Sequence, residues 1–337
     1  ILLYFIADPL LSLLGAIPEV VSVGASYVQI LSFAIPLIFV RQVMTSSLNS
    51  AGDTKTPFYI KLFAITLNII LNYLLIFGHF GFPALGVDGA AYGTLITYVV
   101  EFLIYLWLYI SNRAKLPLIF IYDYALVKRA LKVGVPAGIE RMLTMSSFMF
   151  FTAVITSFGT ATLAGYQVGL RIEGLAFMPG LGFTIAAATL MGQNLGAGNP
   201  ELAKKEVWLT TKIAMYLMAF LGLFMITIPQ YAAMLFTDDE ATIKEASLYL
   251  RIVGLSQIPL AFSFVLSGAL RGAGATKTTF KINFTSLWLF RIIPAFLAAT
   301  YLEDIMWVWI AMSVETWIKG LWLYFTFKKG EWQKIKV

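Results

Sequence analysis

Long apolar stretches constrain this sequence more than any other feature. A helix that crosses the ~30 Å hydrocarbon core of a bilayer needs ~20 mostly apolar residues. Ten such stretches run along the 337 residues, at roughly 1–15, 24–50, 58–78, 86–111, 131–157, 163–193, 207–229, 244–270, 280–301 and 305–327. Helix-breaking strings separate them, among them Gly52–Pro57, Gly81–Pro83 and Gly196–Pro200. The period-2 alternation of an outer-membrane barrel is not visible, so the spans are helices. With 59% apolar and 12% charged residues, the chain has too little polar side chain to cover a water-facing surface, which argues against a soluble enzyme domain. The load of 27 Phe, 16 Tyr and 8 Trp suits a lipid-facing protein with aromatic belts. No Cys is present, which removes disulfide and thiolate chemistry, and a single His leaves no zinc set to assemble.

The net charge of +6 orients the spans. The loops after spans 2, 4, 6 and 8, with the tail, hold Lys55, Lys61, Arg113, Lys115, Lys128, Arg129, Lys132, Lys204, Lys205, Lys212, Arg271, Lys277, Lys281, Lys328, Lys329, Lys334 and Lys336. The opposite loops hold Lys244, beside acids such as Asp238, Asp239, Glu240, Glu303 and Asp304. The positive-inside rule then predicts a multi-pass protein of the cell membrane with a cytoplasmic C-terminus. A nucleic-acid surface would gather its cations with aromatics on one face. Here they are scattered through short loops, and no nucleic-acid partner is expected.

The sequence also repeats itself. Tyr27-Val28-Gln29-Ile30 matches Tyr249-Leu250-Arg251-Ile252, and Gly52-Asp53-Thr54-Lys55-Thr56 matches Gly274-Ala275-Thr276-Lys277-Thr278, both at an offset of 222 residues. Pro36 pairs with Pro259 after a one-residue slip, each in the middle of its span. The offset crosses an even number of spans, so the copies run the same way through the membrane, as in parallel-repeat transporters whose substrate sites lie between the halves. Spans 7–10 repeat spans 1–4, while spans 5 and 6 lack a partner. The expectation is a twelve-span protein in two lobes, with ten spans present and the first two missing from an N-terminally truncated chain. Residues 1–120 form the N-lobe and 121–337 the C-lobe.

Charge at mid-membrane costs ~2.5–3.5 kcal/mol or more, so each instance within a span is a candidate for function. Arg251 and Arg291 fit structural or snorkelling roles. Glu315 and Lys319, spaced i, i+4, fit a neutralising pair. Glu140 follows Pro136, which frees a backbone carbonyl at depth. Its carboxylate fits either proton or Na⁺ exchange, or an ion pair with Arg141 or Arg171. Glu173 is a similar candidate, with Arg171 near it. Asn68 and Asn72 share one helical face, where their amides fit either Na⁺ coordination or interhelical bonding, and Thr94 adds a hydroxyl. Gly268–Thr278 lacks the spacing of a phosphate loop, and Gly180-Leu181-Gly182 fits close helix packing. With no nucleotide-binding domain in view, transport would be driven by an ion gradient or run passively.

The strings Ser50–Pro57, Leu67–Gly78, Phe82–Ala91, Val133–Pro136, Ala164–Gln167, Met191–Gly198 and Arg271–Gly274 resemble the multidrug and toxic compound extrusion (MATE) family, in order and across essentially the whole chain. The resemblance implies a two-lobe, all-α polytopic bundle of twelve helices that exports organic cations and other amphipathic toxicants in exchange for Na⁺ or H⁺, without a cofactor or an enzymatic activity. It implies an N-lobe cation site built from an acid on the missing first helix, Asn68, Thr94 and, where prokaryotic members carry a carboxylate, Asn72. It also implies an essential acid on the span that holds Glu140. Cation-coupling candidates are therefore Asn68, Asn72, Thr94 and Glu140, and substrate-cleft candidates are Glu140, Glu173 and Arg171. The expected partners are an amphipathic small molecule and membrane lipid, with the protein a monomer. A lipid-linked oligosaccharide flippase of the same superfamily is the alternative, and it would need a strongly cationic cavity for a pyrophosphate headgroup.

Overall fold

The computed structural model describes residues 2–13, 18–111, 113–114 and 123–334. Lys115, Lys336 and the end of the first apolar stretch lie outside the described residues. Every other stretch is helical, and no strand occurs among the described residues. The elements are α1 (Leu2–Leu13), α2 (Pro18–Ser32), α3 (Ala34–Ser50), α4 (Lys55–Phe77), α5 (Gly86–Ile110), α6 (Tyr124–Thr156), α7 (Thr160–Gly196), α8 (Pro200–Thr227), α9 (Pro229–Met234), α10 (Glu240–Gly254), α11 (Gln257–Gly272), α12 (Thr276–Thr285), α13 (Ile293–Tyr301) and α14 (Ile305–Lys329). α12 and α13 are one span, continuous through a π-helical turn at Ser286–Ile292. Five spans are long and apolar enough to cross a membrane by themselves, and α2–α3 and α10–α11 do so as bent pairs. The chain is a polytopic all-α membrane protein.

α6 and α8 start earlier than hydropathy predicts, at Tyr124 and Pro200, because side chains cap them outside the apolar windows. Asp123 accepts from the Ala125 and Leu126 amides. Asn199 accepts from Leu202 N–H at 3.2 Å, with Pro200 preset at the first helical position. Asp239 caps α10 in the same way. The Thr242 hydroxyl and then its amide hold the Asp239 carboxyl below the usual carboxylate range.

The two repeat copies share their irregularities. α2 and α3 bend by 47° about Phe33, and α10 and α11 by 60° about Leu255–Ser256. Pro36 and Pro259 sit in the first turn after each bend. Proline has no N–H to bond back to the preceding turn, and its ring clashes with the carbonyl four residues earlier. The spans therefore break just ahead of each proline, not at it. Both copies end alike: Asp53 N–H reaches Leu48 O at 2.9 Å, and Ala275 N–H reaches Leu270 O at 2.8 Å. Gly52 (φ 84°) and Gly274 (φ 77°) take the left-handed turn that this closure requires.

The chain divides into two compact units, Ile1–Ile121 and Tyr122–Val337. In the first, α5 packs against α2, α3 and α4. In the second, α11 lies on α7, α8 and α14. Its aromatic centre is Trp309, stacked on Tyr166 (centroids 5.5 Å apart) and met edge-on by Phe151 and Tyr249. Small residues let α11 and α7 touch backbone to backbone: a Cβ on Gly268 would crowd the Thr184 carbonyl, and one on Gly272 the Ala188 carbonyl. Of the glycines at 180 and 182, Gly180 makes a close contact, under the ring of Phe264, whereas Gly182 has open space. Gly268→Val should wedge α7 from α11 and destabilise the protein by about 2 kcal/mol. Thermal unfolding in detergent, followed by loss of the monodisperse peak, measures this; an unchanged midpoint refutes the packing role.

Candidate functional site

In the first unit, α4 and α5 bring three of the cation-coupling candidates together. Asn68 Nδ2 donates to Thr94 Oγ1 at 3.5 Å and to Thr97 Oγ1 at 3.4 Å, and Asn72 Nδ2 donates to Asn68 Oδ1 at 3.2 Å. Asn72 Oδ1 is buried without a hydrogen-bond partner. Gly93 makes room for it, since a Cβ there would lie 2.5 Å from that oxygen. The cluster opens on a cavity of about 130 Å³ whose wall includes Lys61, Asn68, Thr94, Thr97 and Tyr98. Thr97 was not among the candidates, although its i+3 spacing from Thr94 places it on the same face. Glu101, also buried, is held by Arg41 at 2.9 Å and Lys61 at 3.6 Å. It is a neutralised structural charge.

In the second unit, Glu140 is 7% exposed, and its Oε1 accepts from Arg271 Nη1 at 3.2 Å and Asn283 Nδ2 at 2.6 Å. Neither expected partner holds it: Arg141 and Arg171 are both exposed. Neighbours at i+1 do not face each other on a helix, and Arg171 lies elsewhere in sequence and surface. Arg271 was read as a loop cation, but it ends α11 and turns back to this carboxylate. Glu140 Oε2 remains buried and unpartnered.

Glu140, Arg271 and Asn283 share a cavity of about 470 Å³ with Arg291, Lys319 and the aromatic faces of Phe148, Phe177 and Phe264; exposed Arg141 also reaches its wall. Glu315, fully buried, is gripped from two sides, by Arg291 Nη2 at 2.6 Å and Lys319 Nζ at 3.1 Å. The pair Glu315–Lys319 predicted from spacing is thus a triad. Arg291 enters it from the π-helical turn, an irregularity that hydropathy does not register.

Glu173 does not line this cavity. It faces a separate, smaller one of about 50 Å³, where Tyr249 Oη donates to its Oε2 at 2.5 Å. Arg171, two residues away, is exposed on the opposite side of α7 and lines neither of these two cavities. Breaking a buried charge pair from one side strands the other charge, at about 3–5 kcal/mol. Lys319 remains to Glu315, so Arg291→Met should cost about 3 kcal/mol, and Arg291→Lys less. The comparison is read as thermal midpoints of the two variants, and equal midpoints would deny the triad its role.

The family model MatE matches residues 1–74 and 136–297. The probable multidrug resistance protein NorM of Thermotoga maritima is 30% identical over 320 residues, covering 94% of this chain and 69% of its own length. The multidrug resistance protein MdtK of Yersinia pseudotuberculosis is 26% identical over 285 residues, covering 83% of this chain and 62% of its own. Among solved structures, a MOP superfamily transporter from Pyrococcus furiosus superposes with a TM-score of 0.91 at 21% identity, over 99% of this chain and 75% of that one. An outward-facing multidrug resistance MATE family transporter gives 0.87 at 22% identity, over 99% and 76%. At those identities the structures speak to the fold. The sequence matches go further, and the chain belongs to the MatE family.

Proposed function

We propose that the protein is a secondary active transporter that exports amphipathic, cationic compounds from the cell in exchange for Na⁺ or H⁺. The observation that carries this reading is the cavity of about 470 Å³ in the second unit, where one buried carboxylate, Glu140, stands among Phe148, Phe177 and Phe264 within a membrane bundle. Aromatic faces attract organic cations, and a carboxylate supplies the counter-charge. The naming of relatives such as NorM and MdtK as multidrug resistance proteins supports the same reading. The amide–hydroxyl cluster of Asn68, Asn72 and Thr94 offers oxygens of the kind that hold Na⁺, and Asn72 Oδ1 is free to turn to one. A coupling ion drives export by binding two conformations unequally.

The flippase reading is not favoured. In the second unit, Arg271, Arg291, Lys319 and the exposed Arg141 are accompanied by Glu140 and Glu315, with Glu173 in the adjoining cavity. A pyrophosphate headgroup would want cations without that company.

Two measurements test the proposal. In proteoliposomes carrying the full-length protein, an inward Na⁺ or H⁺ gradient should drive efflux of a fluorescent organic cation, and Glu140→Gln should weaken that efflux by weakening cation binding; no gradient-dependent movement refutes the proposal. Asn72→Asp adds a charge to the first-unit cluster and should tighten Na⁺ about tenfold, because ligand charge count sets cation affinity. Na⁺-dependent quenching of intrinsic fluorescence reads it, and an unmoved midpoint assigns the cluster to helix packing.

A further inference from the structure

We propose that Glu173 carries the exchanged proton, and that its protonation excludes a cationic ligand from the adjoining Glu140 cavity. This rests on the export reading above and assigns its coupling step to one residue.

The first argument is geometric. The pocket around Glu173, about 50 Å³, is closed in by Tyr166, Tyr249, Gln257, Arg291 and Thr316 among others. A cavity needs only ~10–15 Å³ of such space to hold a water. Two of its wall groups are buried without a partner: Gln257 Oε1, an acceptor on a residue with 0% exposure, and Arg291 Nε, a donor. An orphan acceptor and an orphan donor on the wall of one small pocket are what water bridges, and water passes protons. A metal cation fits this pocket poorly, because the Arg291 guanidinium forms part of its wall. The titratable groups that face Glu173 are Tyr166 from its own helix, Tyr249 from α10 and Arg291 from the π-helical turn, with Glu315 and Lys319 of α14 behind Arg291. α6 and α11 present uncharged residues there, Phe148, Gln257 and Leu260.

The second argument is a charge count. Glu140 pairs with Arg271, while Glu315 is shared by Arg291 and Lys319. Among these groups the pairings leave one positive charge over, with the exposed Arg141 outside the count. Glu173, ionised, is the carboxylate that balances it. Arg291, Phe148, Phe177 and Leu260 line both cavities, so the two are separated by no more than a wall of side chains. With Glu173 ionised, an organic cation in the larger cavity raises the unit's interior by one charge. With Glu173 protonated, the same cation makes the excess two, in surroundings where charge is poorly screened. Proton and cation therefore oppose each other's binding, and by linkage the opposition is mutual. The exchange balances: the carboxylate takes up H⁺ as the cation leaves, and no covalent bond changes elsewhere.

The test uses full-length protein in Na⁺-free buffer and tetraphenylphosphonium, whose charge does not titrate. Affinity should fall about tenfold per pH unit below the Glu173 midpoint, and binding in weak buffer should release about one proton per cation bound. Glu173→Gln imitates the protonated state, so it should bind weakly at every pH and release no proton. Tyr249→Phe removes the donor to the carboxylate and should move the midpoint to higher pH, which a merely structural loss would not do. Glu140→Gln should weaken binding yet keep the pH slope. Proton release from Glu173→Gln, or a wild-type affinity independent of pH, overturns the inference while the export reading stands. Failure of the wild type to bind the cation at any pH overturns the export reading itself.

Discussion

The rest of the structure depends on the cost of stranding a charge in a greasy helical bundle. Glu315 shows how the cost is met. It has no exposed surface, and two cations from different turns close on it, Arg291 across the bundle and Lys319 one turn along α14. Removing either would take from Glu315 one of its two partners, so the span containing Arg291 is fixed relative to α14 by electrostatics as much as by packing. The π-helical turn belongs to the same solution. It sets Arg291 in the wall of both cavities while the span runs on to Tyr301. Glu101 with Arg41 and Lys61 is the smaller version of the device in the first unit.

Much of the fold was legible because the membrane limits the choices. Of the ten stretches that hydropathy placed, five are long and apolar enough to cross a membrane alone and two more as bent pairs, and the bends at Phe33 and Leu255 recur at the 222-residue offset that the motifs alone had suggested. What hydropathy missed were helix ends fixed by polar caps, such as Asp123 and Asn199, which lie in water and carry no apolar signal. The candidate site was legible by residue type more than by partner. Asn68, Asn72 and Thr94 meet as their helical faces allowed. Glu140 was found by the cost of its burial, but its partners Arg271 and Asn283 lie 131 and 143 residues further along the chain. No local spacing encodes a contact of that range. Helix-face arithmetic could have separated Arg171 from Glu173, since residues two apart point nearly opposite ways.

Equivalent elements of the repeat have taken different chemistry. In the first unit, the α4–α5 pair carries amides and hydroxyls around a cavity, with Gly93 leaving space for the Asn72 oxygen. In the second, the matching span and α14 carry Arg291, Glu315 and Lys319 locked on one another. A cluster of neutral oxygens can take up or lose a cation at modest cost, because neither state strands a charge. A locked triad cannot, because each member is the others' solvation.

In the proposed exchange, that difference leaves exchangeable charge in the second unit to the carboxylates beside the triad. Glu140 has a guanidinium partner in Arg271 and an open cavity in front of it, so it suits a ligand that brings its own positive charge. Glu173 has a phenol for a partner, and a phenol satisfies either protonation state of a carboxylate by donating to one and accepting from the other. An arginine offers no such choice, having donors only. In the proposed exchange the partner, more than the depth of burial, therefore separates the two acids: one holds the cation and the other changes its proton.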